Sequence, residues 1–293
     1  MRWLVTGAGG MLGRDTAEEL ARRGEDVTGL DHAALDVTRP DSVDRAFAAY
    51  GPDLVVNCAA HTAVDAAETD EARALRVNGD GPRLLARACA AHGARLIHVS
   101  TDYVFAGDAS VPYPEDHPPA PRTAYGRSKL AGERAVLAGL PDASVVLRTA
   151  WLYGVHGPSF VRTMLALEAS RDTVDVVDDQ RGQPTWSADV AARIADLGPR
   201  TGRTARGVLH ATAAGEASWY ELAREIFRRI GADPDRVRPT TSDAFPRPAP
   251  RPAYSVLGHG RWRETGLAPL RDWRAALHEA LPLIRKETQG VRS

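Results

Sequence analysis

The stretch YGRSKLAGE sets Tyr125 and Lys129 four residues apart, and this pair is the best candidate in the chain for moving a proton. Four residues along a helix bring two side chains onto one face. A phenol ordinarily loses its proton near pH 10, and bringing that down to neutrality takes roughly 4 kcal/mol of preference for the phenolate. A neighbouring ammonium supplies an effect of that sign, as would an oxidised nicotinamide ring. The ordinary meaning of such a pair is a core tyrosine beside a snorkelling lysine. Composition argues otherwise here: of 37 basic residues only Lys129 and Lys286 are lysines. A chain that uses arginine everywhere else keeps a compact ammonium where a planar guanidinium cannot replace it. Ser100 and Thr101, in VSTDYVFAG, add hydroxyls able to hydrogen-bond a carbonyl oxygen.

A second group of residues suits a phosphate. Gly7, Gly10 and Gly13 in TGAGGMLG form G-x-x-G-x-x-G between an apolar run and a helical pattern. Glycine permits a sharp turn and close backbone approach, while a helix N-terminus offers free N–H groups and positive dipole to a pyrophosphate. The spacing differs by one residue from the G-x-G-x-x-G fingerprint, and its place at the first strand-to-helix turn gives it weight. Asp31, ending the second strand-like run, would hydrogen-bond an adenosine ribose and repel a 2′-phosphate, which favours NADH over NADPH. Only two asparagines occur, Asn57 and Asn78, and two of the glutamines, Gln180 and Gln183, share DDQRGQPT. Amides this scarce at strand ends suggest specific hydrogen bonds, with caps and turns as the plainer alternative. Arg251 and Ser255 give the proline-rich AFPRPAPRPAYSVL side chains suited to lining a ligand.

Such residues need a scaffold that gathers them at one edge. RWLVTG, EDVTGLD, PDLVVNCAA, ARLIHVST and ASVVLRTAW read as strands, separated by helical patterns that include one long helix over residues 70–93. Short apolar strands alternating with helices of ten or more residues predict a parallel sheet covered on both faces. After Trp151 the rhythm loosens into amphipathic helices (GPSFVRTMLALEAS, SWYELAREIFRRIG) and short strands (DTVDVVDDQ, RGVLHAT). The expected fold class is therefore α/β: a doubly wound parallel sheet with a smaller mixed domain towards the C-terminus. Residues 1–155 and about 184–212 form the dinucleotide-binding part in this reading, and about 156–183 and 213–293 the substrate-binding part. With 293 residues, 43% of them hydrophobic, and a net charge of -1, the chain can bury a large core and has no diffuse attraction for nucleic acid or an anionic membrane. Cys58 and Cys89 lie in apolar stretches and read as reduced thiols of a cytoplasmic protein.

Taken in order, TGAGGMLG, LDVT, PDLVVNCAAHTAVDAAE, VNGDGPRLLA, STDYVF, YGRSKLAGE, LRTAWLYG, SFVRTMLAL, VVDDQRGQPT, SWYELA and RPAYSVL run through nearly the whole chain. They resemble the extended short-chain dehydrogenase/reductases that act on nucleotide sugars, and within them the dTDP-4-dehydrorhamnose reductase family. Tyr-x-x-x-Lys alone marks a very broad superfamily, whereas STDYVF with DQRGQPT and SWYELA is far more specific. The resemblance implies a Rossmann-type fold, NADPH or NADH, and reduction of the C4 ketone of a dTDP-linked 4-keto-6-deoxy sugar to dTDP-L-rhamnose. It implies a catalytic trio in which Tyr125 protonates the nascent alkoxide, Thr101 polarises the carbonyl, and Lys129 holds the nicotinamide ribose while lowering the Tyr125 pKa. To the cofactor it assigns Gly7, Gly10, Met11, Leu12, Gly13, Asp31, Asp36, Val37, Ala59, Ala60, Asn78, Ser100, Tyr125 and Lys129. To the dTDP-sugar it assigns Thr62, Val64, Asp102, Tyr103, Trp151, Gln183, Arg251 and Ser255, with Trp151 packing on the sugar. It implies no nucleic acid or membrane partner and admits a homodimer.

Departures from the family pattern narrow these expectations. Ala150 stands where a serine is frequent, and Ser159 where an asparagine is common. Some members hold magnesium through glutamates; Asp15 keeps an acid at one such position, but Ala188 fills another, so no metal is expected. His61 and His98 have no partners at metal-ligand spacing and read as core or site-lining residues. A dehydratase of this type would carry glutamate after Thr101-Asp102, where Tyr103 stands, and the intact Tyr125 and Lys129 weigh against a non-catalytic dinucleotide-binding regulator, which is kept as an alternative. A 4-ketoreductase making another deoxysugar in antibiotic assembly stays open.

Overall fold

The computed structural model describes residues 1–290. The apolar runs become strands β1 (Arg2–Thr6), β2 (Asp26–Leu30), β3 (Leu54–Asn57), β4 (Arg95–Thr101) and β5 (Ser144–Thr149). RGVLHAT, in the stretch of about 184–212 expected to belong with the dinucleotide-binding part, supplies Gly207–His210, which joins the same sheet beside β5. From that edge strand the order is β5, β4, β3, β1, β2, and every pairing is parallel. The order reverses between β1 and β3, which opens a crevice at the carboxyl ends of the strands.

Helices cover both faces. On one lie α1 (Met11–Arg22) and α8 (Ser187–Leu197); on the other α2 (Pro40–Tyr50), α5 (Gly81–His92) and α6 (Ala124–Gly139), with the short α3 (Val64–Thr69) and α4 (Glu71–Leu75) above them. Alternation along β1 shows the two-faced burial directly. Trp3 and Val5 pack with Val190 and Ile194 of α8, while Leu4 packs with Leu85 and Ala86 of α5. The single long helix expected over residues 70–93 does not form. A π-helical stretch, Arg76–Asp80, separates α4 from α5. Pro82 brings no N–H to the ladder, and the buried Asn78 amide is drawn to the His61 backbone, so the turn widens there.

A third core lies away from the sheet. It gathers α7 (Phe160–Glu168), α9 (Trp219–Arg229), the paired strands Val174–Val177 and Val237–Thr240, and the helix Trp273–Gly290 around Met164, Leu222, Phe227 and Leu277. Ser218 and Glu221 close a reciprocal capping box at the start of α9.

One buried ion pair sets the pose of α6. Arg148 of β5 donates Nε and Nη2 to the two carboxylate oxygens of Glu133, at 2.8 and 2.7 Å, with both residues almost fully buried. The bidentate geometry fixes the rotation of the helix as well as its distance, and Glu133 lies one turn beyond Lys129.

Candidate active site

Tyr125 and Lys129 project from α6 towards the end of β4. Lys129 Nζ donates to the Val99 carbonyl oxygen at 2.7 Å. Thr101 Oγ1 donates to Asp102 Oδ1 at 2.9 Å and accepts from the Tyr103 N–H at 3.2 Å. The Tyr103 ring meets Tyr125 edge-on, with centroids 5.6 Å apart. Gly126 allows this approach, because a Cβ there would lie 2.2 Å from the Tyr103 carbonyl oxygen. Thr123 caps the helix, its Oγ1 accepting from the Gly126 N–H at 3.0 Å.

The electrostatics correct one expectation. Lys129 was to pull the Tyr125 phenol down, yet burial pushes that phenol up to about 12; the Thr101 hydroxyl pulls it down and the Asp102 carboxylate pushes it up again. Lys129 is itself driven down to about 8 by burial, with Glu133 opposing. The low-dielectric setting that should strengthen the ammonium's field also disfavours the ammonium, and one of its N–H groups is spent on Val99. Burial raises Asp102 to about 6, against the Ser255 and Thr101 hydroxyls.

A cavity of 670 Å³ runs past these groups. Gly10, Met11, Leu12 and Gly13 line one end, Ala60, Thr62, Val64 and Ser100 to Tyr103 its middle, and Trp151 and Arg251 the other end. At the glycine end the turn is tight. Gly7 adopts φ +67°, and a Cβ on Gly13 would sit 2.2 Å from the Gly7 carbonyl oxygen. Gly10 precedes α1 without any side-chain cap, so the first N–H groups face the cavity mouth unclaimed by a side chain.

Other expected site residues lie off the cavity wall. Asp31 is exposed beside Gly9, and its Oδ1 accepts from the Ala34 N–H at 3.0 Å. Asp36 accepts from both the N–H and the hydroxyl of Thr38, and Val37 is buried against Gly81. Ala59 backs the Gly7 turn. The Asn78 amide is consumed by the His61 backbone and Ser128, and the Gln183 amide by Leu257 and Thr212. Buried amides must satisfy their polar atoms, and in these two the fold does so. Ser255 is buried behind Asp102. His98 is a core residue whose Nδ1 meets the Asn57 amide at 2.9 Å.

Sequence reasoning left Trp219 and Gln180 without a site role. Trp219 lies flat on Trp151, centroids 3.5 Å apart and planes within 4°, and donates Nε1 to Gln180 Oε1 at 3.2 Å. Trp151 thus faces an indole in this structure, and its φ of 49° is the one positive value at a non-glycine residue among those described. Such backbone costs about 1–3 kcal/mol and collects at functional sites. SWYELA was the available signal for Trp219; nothing local says that it reaches Trp151. Gln180, Trp219 and Arg251 also line a second chamber of 730 Å³, formed with α7, the strand Val174–Val177 and residues 242–251. Apart from these, Asp15, Glu18 and His156 bring ligand-type atoms within 4.8 Å of one another, and the Ser187 hydroxyl donates to Asp15 Oδ2.

A parallel sheet of this order, with a glycine turn after its first strand and a Tyr–Lys helix at its carboxyl edge, is the arrangement of the Rossmann-type extended short-chain dehydrogenase/reductases. The chain belongs to the family described by the RmlD substrate binding domain, whose model matches residues 1–285. It is 63% identical over 285 residues to a probable dTDP-4,6-dihydroxy-2-methyloxan-3-one 4-ketoreductase of Streptomyces antibioticus, covering 97% of this chain and 96% of that one. It is 58% identical to a dTDP-4-dehydrorhamnose reductase of Streptomyces griseus, over 97% of this chain and 94% of that one. Among solved structures, the dTDP-4-dehydrorhamnose reductase of Bacillus anthracis in complex with NADP superposes with a TM-score of 0.91 at 37% identity, covering 96% of this chain and 98% of that one.

Proposed function

We propose that the chain reduces the C4 ketone of dTDP-4-dehydro-6-deoxy-L-mannose (dTDP-6-deoxy-L-lyxo-4-hexulose) to dTDP-L-rhamnose, using NADPH or NADH. The observation that carries this reading is a cavity that joins a glycine turn to Thr101, Tyr125 and Lys129 and then shares a wall with a second chamber. A dinucleotide suits the first end, because the glycine turn leaves no room for side chains and offers helix N–H groups to a pyrophosphate. A sugar joined to a nucleoside diphosphate suits the two-chambered remainder. In this reading residues 1–155 and 184–212 serve the cofactor, and 156–183 and 213–293 the substrate.

When bound, the reduced nicotinamide supplies a hydride to the sugar carbon. Thr101 turns its hydroxyl to the ketone oxygen and fixes its direction. Tyr125, kept protonated by burial, gives its proton to that oxygen as negative charge gathers there, a role typically worth about 10²- to 10⁴-fold. Lys129 keeps N–H groups beyond the one given to Val99, and these would hold the cofactor ribose.

The Streptomyces antibioticus relative supports a second reading, the same C4 reduction on another dTDP-linked keto sugar. No described helix is long and apolar enough to cross a membrane, and the free thiols Cys58 and Cys89 suit the reducing cytoplasm in which this reading places the protein. The test is spectrophotometric loss of NADPH on adding the dTDP-4-keto sugar, with NMR assignment of the configuration at C4. Turnover to dTDP-L-rhamnose meets the expectation; tight NADPH binding without turnover of any dTDP-4-keto sugar refutes it.

A further inference from the structure

Resting on the nucleotide-sugar reading, we infer that Asp65 is a positioning residue that holds Arg251 ready for the diphosphate of the substrate. Asp65 opens α3, on the cofactor side of the cleft, and reaches across to the proline-rich segment that roofs both chambers. Its Oδ2 accepts from Arg251 Nη2 at 2.8 Å, and its Oδ1 from the Ala249 N–H at 3.3 Å, with Arg247 Nη1 3.9 Å away. Arg251 Nη1 donates to the Ala249 carbonyl oxygen at 3.0 Å, so the guanidinium and the loop backbone are fixed together.

The location gives this clasp its meaning. Arg251 and Lys129 are the cationic side chains that line the active-site cavity, and Arg251 alone of the two also lines the second chamber. Arg251 stands with Gln180 and Trp219 in the wall that the two chambers share. Two of its N–H groups are engaged, and among the described residues no partner takes the rest. They remain for phosphate oxygens, which the planar fork matches well. An arginine that enters binding already ordered spares the ligand the entropy of ordering it. The pair is partly exposed, 31% for the Asp65 side chain and 23% for that of Arg251, so its contribution to overall stability is small. Its effect belongs to binding.

The experiment compares wild type with Asp65→Asn, Asp65→Glu, Arg251→Ala and the double variant D65N/R251A. Calorimetry with dTDP alone and with NADPH is joined to kcat and KM for the dTDP-4-keto sugar. D65N should raise the dTDP Kd and the sugar-nucleotide KM about 3- to 10-fold, the scale of leaving one rotamer-rich side chain unordered. Its kcat should stay within about twofold, and NADPH affinity and Tm should not move. Asp65→Glu should restore part of the loss, and D65N should have no further effect once Arg251 is alanine. Equal dTDP binding by wild type and D65N overturns the inference and leaves the nucleotide-sugar reading standing. A wild-type chain that ignores dTDP overturns both.

Discussion

Alkaline pH should switch the enzyme off through Lys129 while making the fold more stable, and the two effects together test the buried ammonium. Burial lowers Lys129 to about 8 from an ordinary value of 10.5. The ammonium is then about nine-tenths formed at pH 7 and about one-tenth formed at pH 9, so kcat/KM should fall about tenfold per pH unit above 8. Tyr125, at about 12, titrates outside that window and cannot produce the limb. The stability effect runs the other way. A lysine whose folded pKa is depressed penalises the fold while charged, and the penalty is relieved as pH rises from 8 towards 10.5, by up to about 3 kcal/mol. Measuring kcat/KM for ketone reduction from pH 6.5 to 10, with urea unfolding of wild type and Lys129→Met across the same range, separates this lysine from every other titrating group. Lys129→Arg should show no limb and little activity, since guanidinium stays charged but cannot occupy the ammonium's place against Val99. A flat wild-type profile up to pH 10, or a stability difference from the methionine variant that does not change with pH, refutes the reasoning.

Tyr125→Phe should lower kcat about 10²- to 10⁴-fold while NADPH binding, followed by fluorescence, stays near wild type. Gly13→Ala should lose most cofactor affinity and about 1–3 kcal/mol of stability, because the new methyl meets the Gly7 carbonyl oxygen at 2.2 Å and only backbone movement relieves it; NADPH titration and thermal melts check both. Glu133→Gln should cost about 3–5 kcal/mol in urea unfolding, since Arg148 is left charged in the core without its carboxylate.

The strand–helix alternation of the first half was legible because each element carries its own pattern: apolar runs of strand length, glycine at helix ends, proline near the start of α2. The glycine turn and the Tyr–Lys spacing were legible for the same reason, being local. What escaped the sequence depends on contacts between distant residues. The pattern of residues 70–93 suits one helix, and only the pull of His61 on Asn78 opens its π-helical turn. The scarcity of Asn78 and Gln183 pointed correctly to specific hydrogen bonds, but rarity cannot say whether the partner is a ligand or the backbone. The effect expected of Lys129 on Tyr125 failed because residue types carry sign but not distance or desolvation.

The wall that Gln180, Trp219 and Arg251 form between the two chambers limits how this scaffold can be retargeted. A substitution there meant to reshape one compartment also alters the other, so the two cannot be tuned separately from those three positions. Divergence among such reductases is then easier at Ala150 and Thr149, which border the first compartment alone.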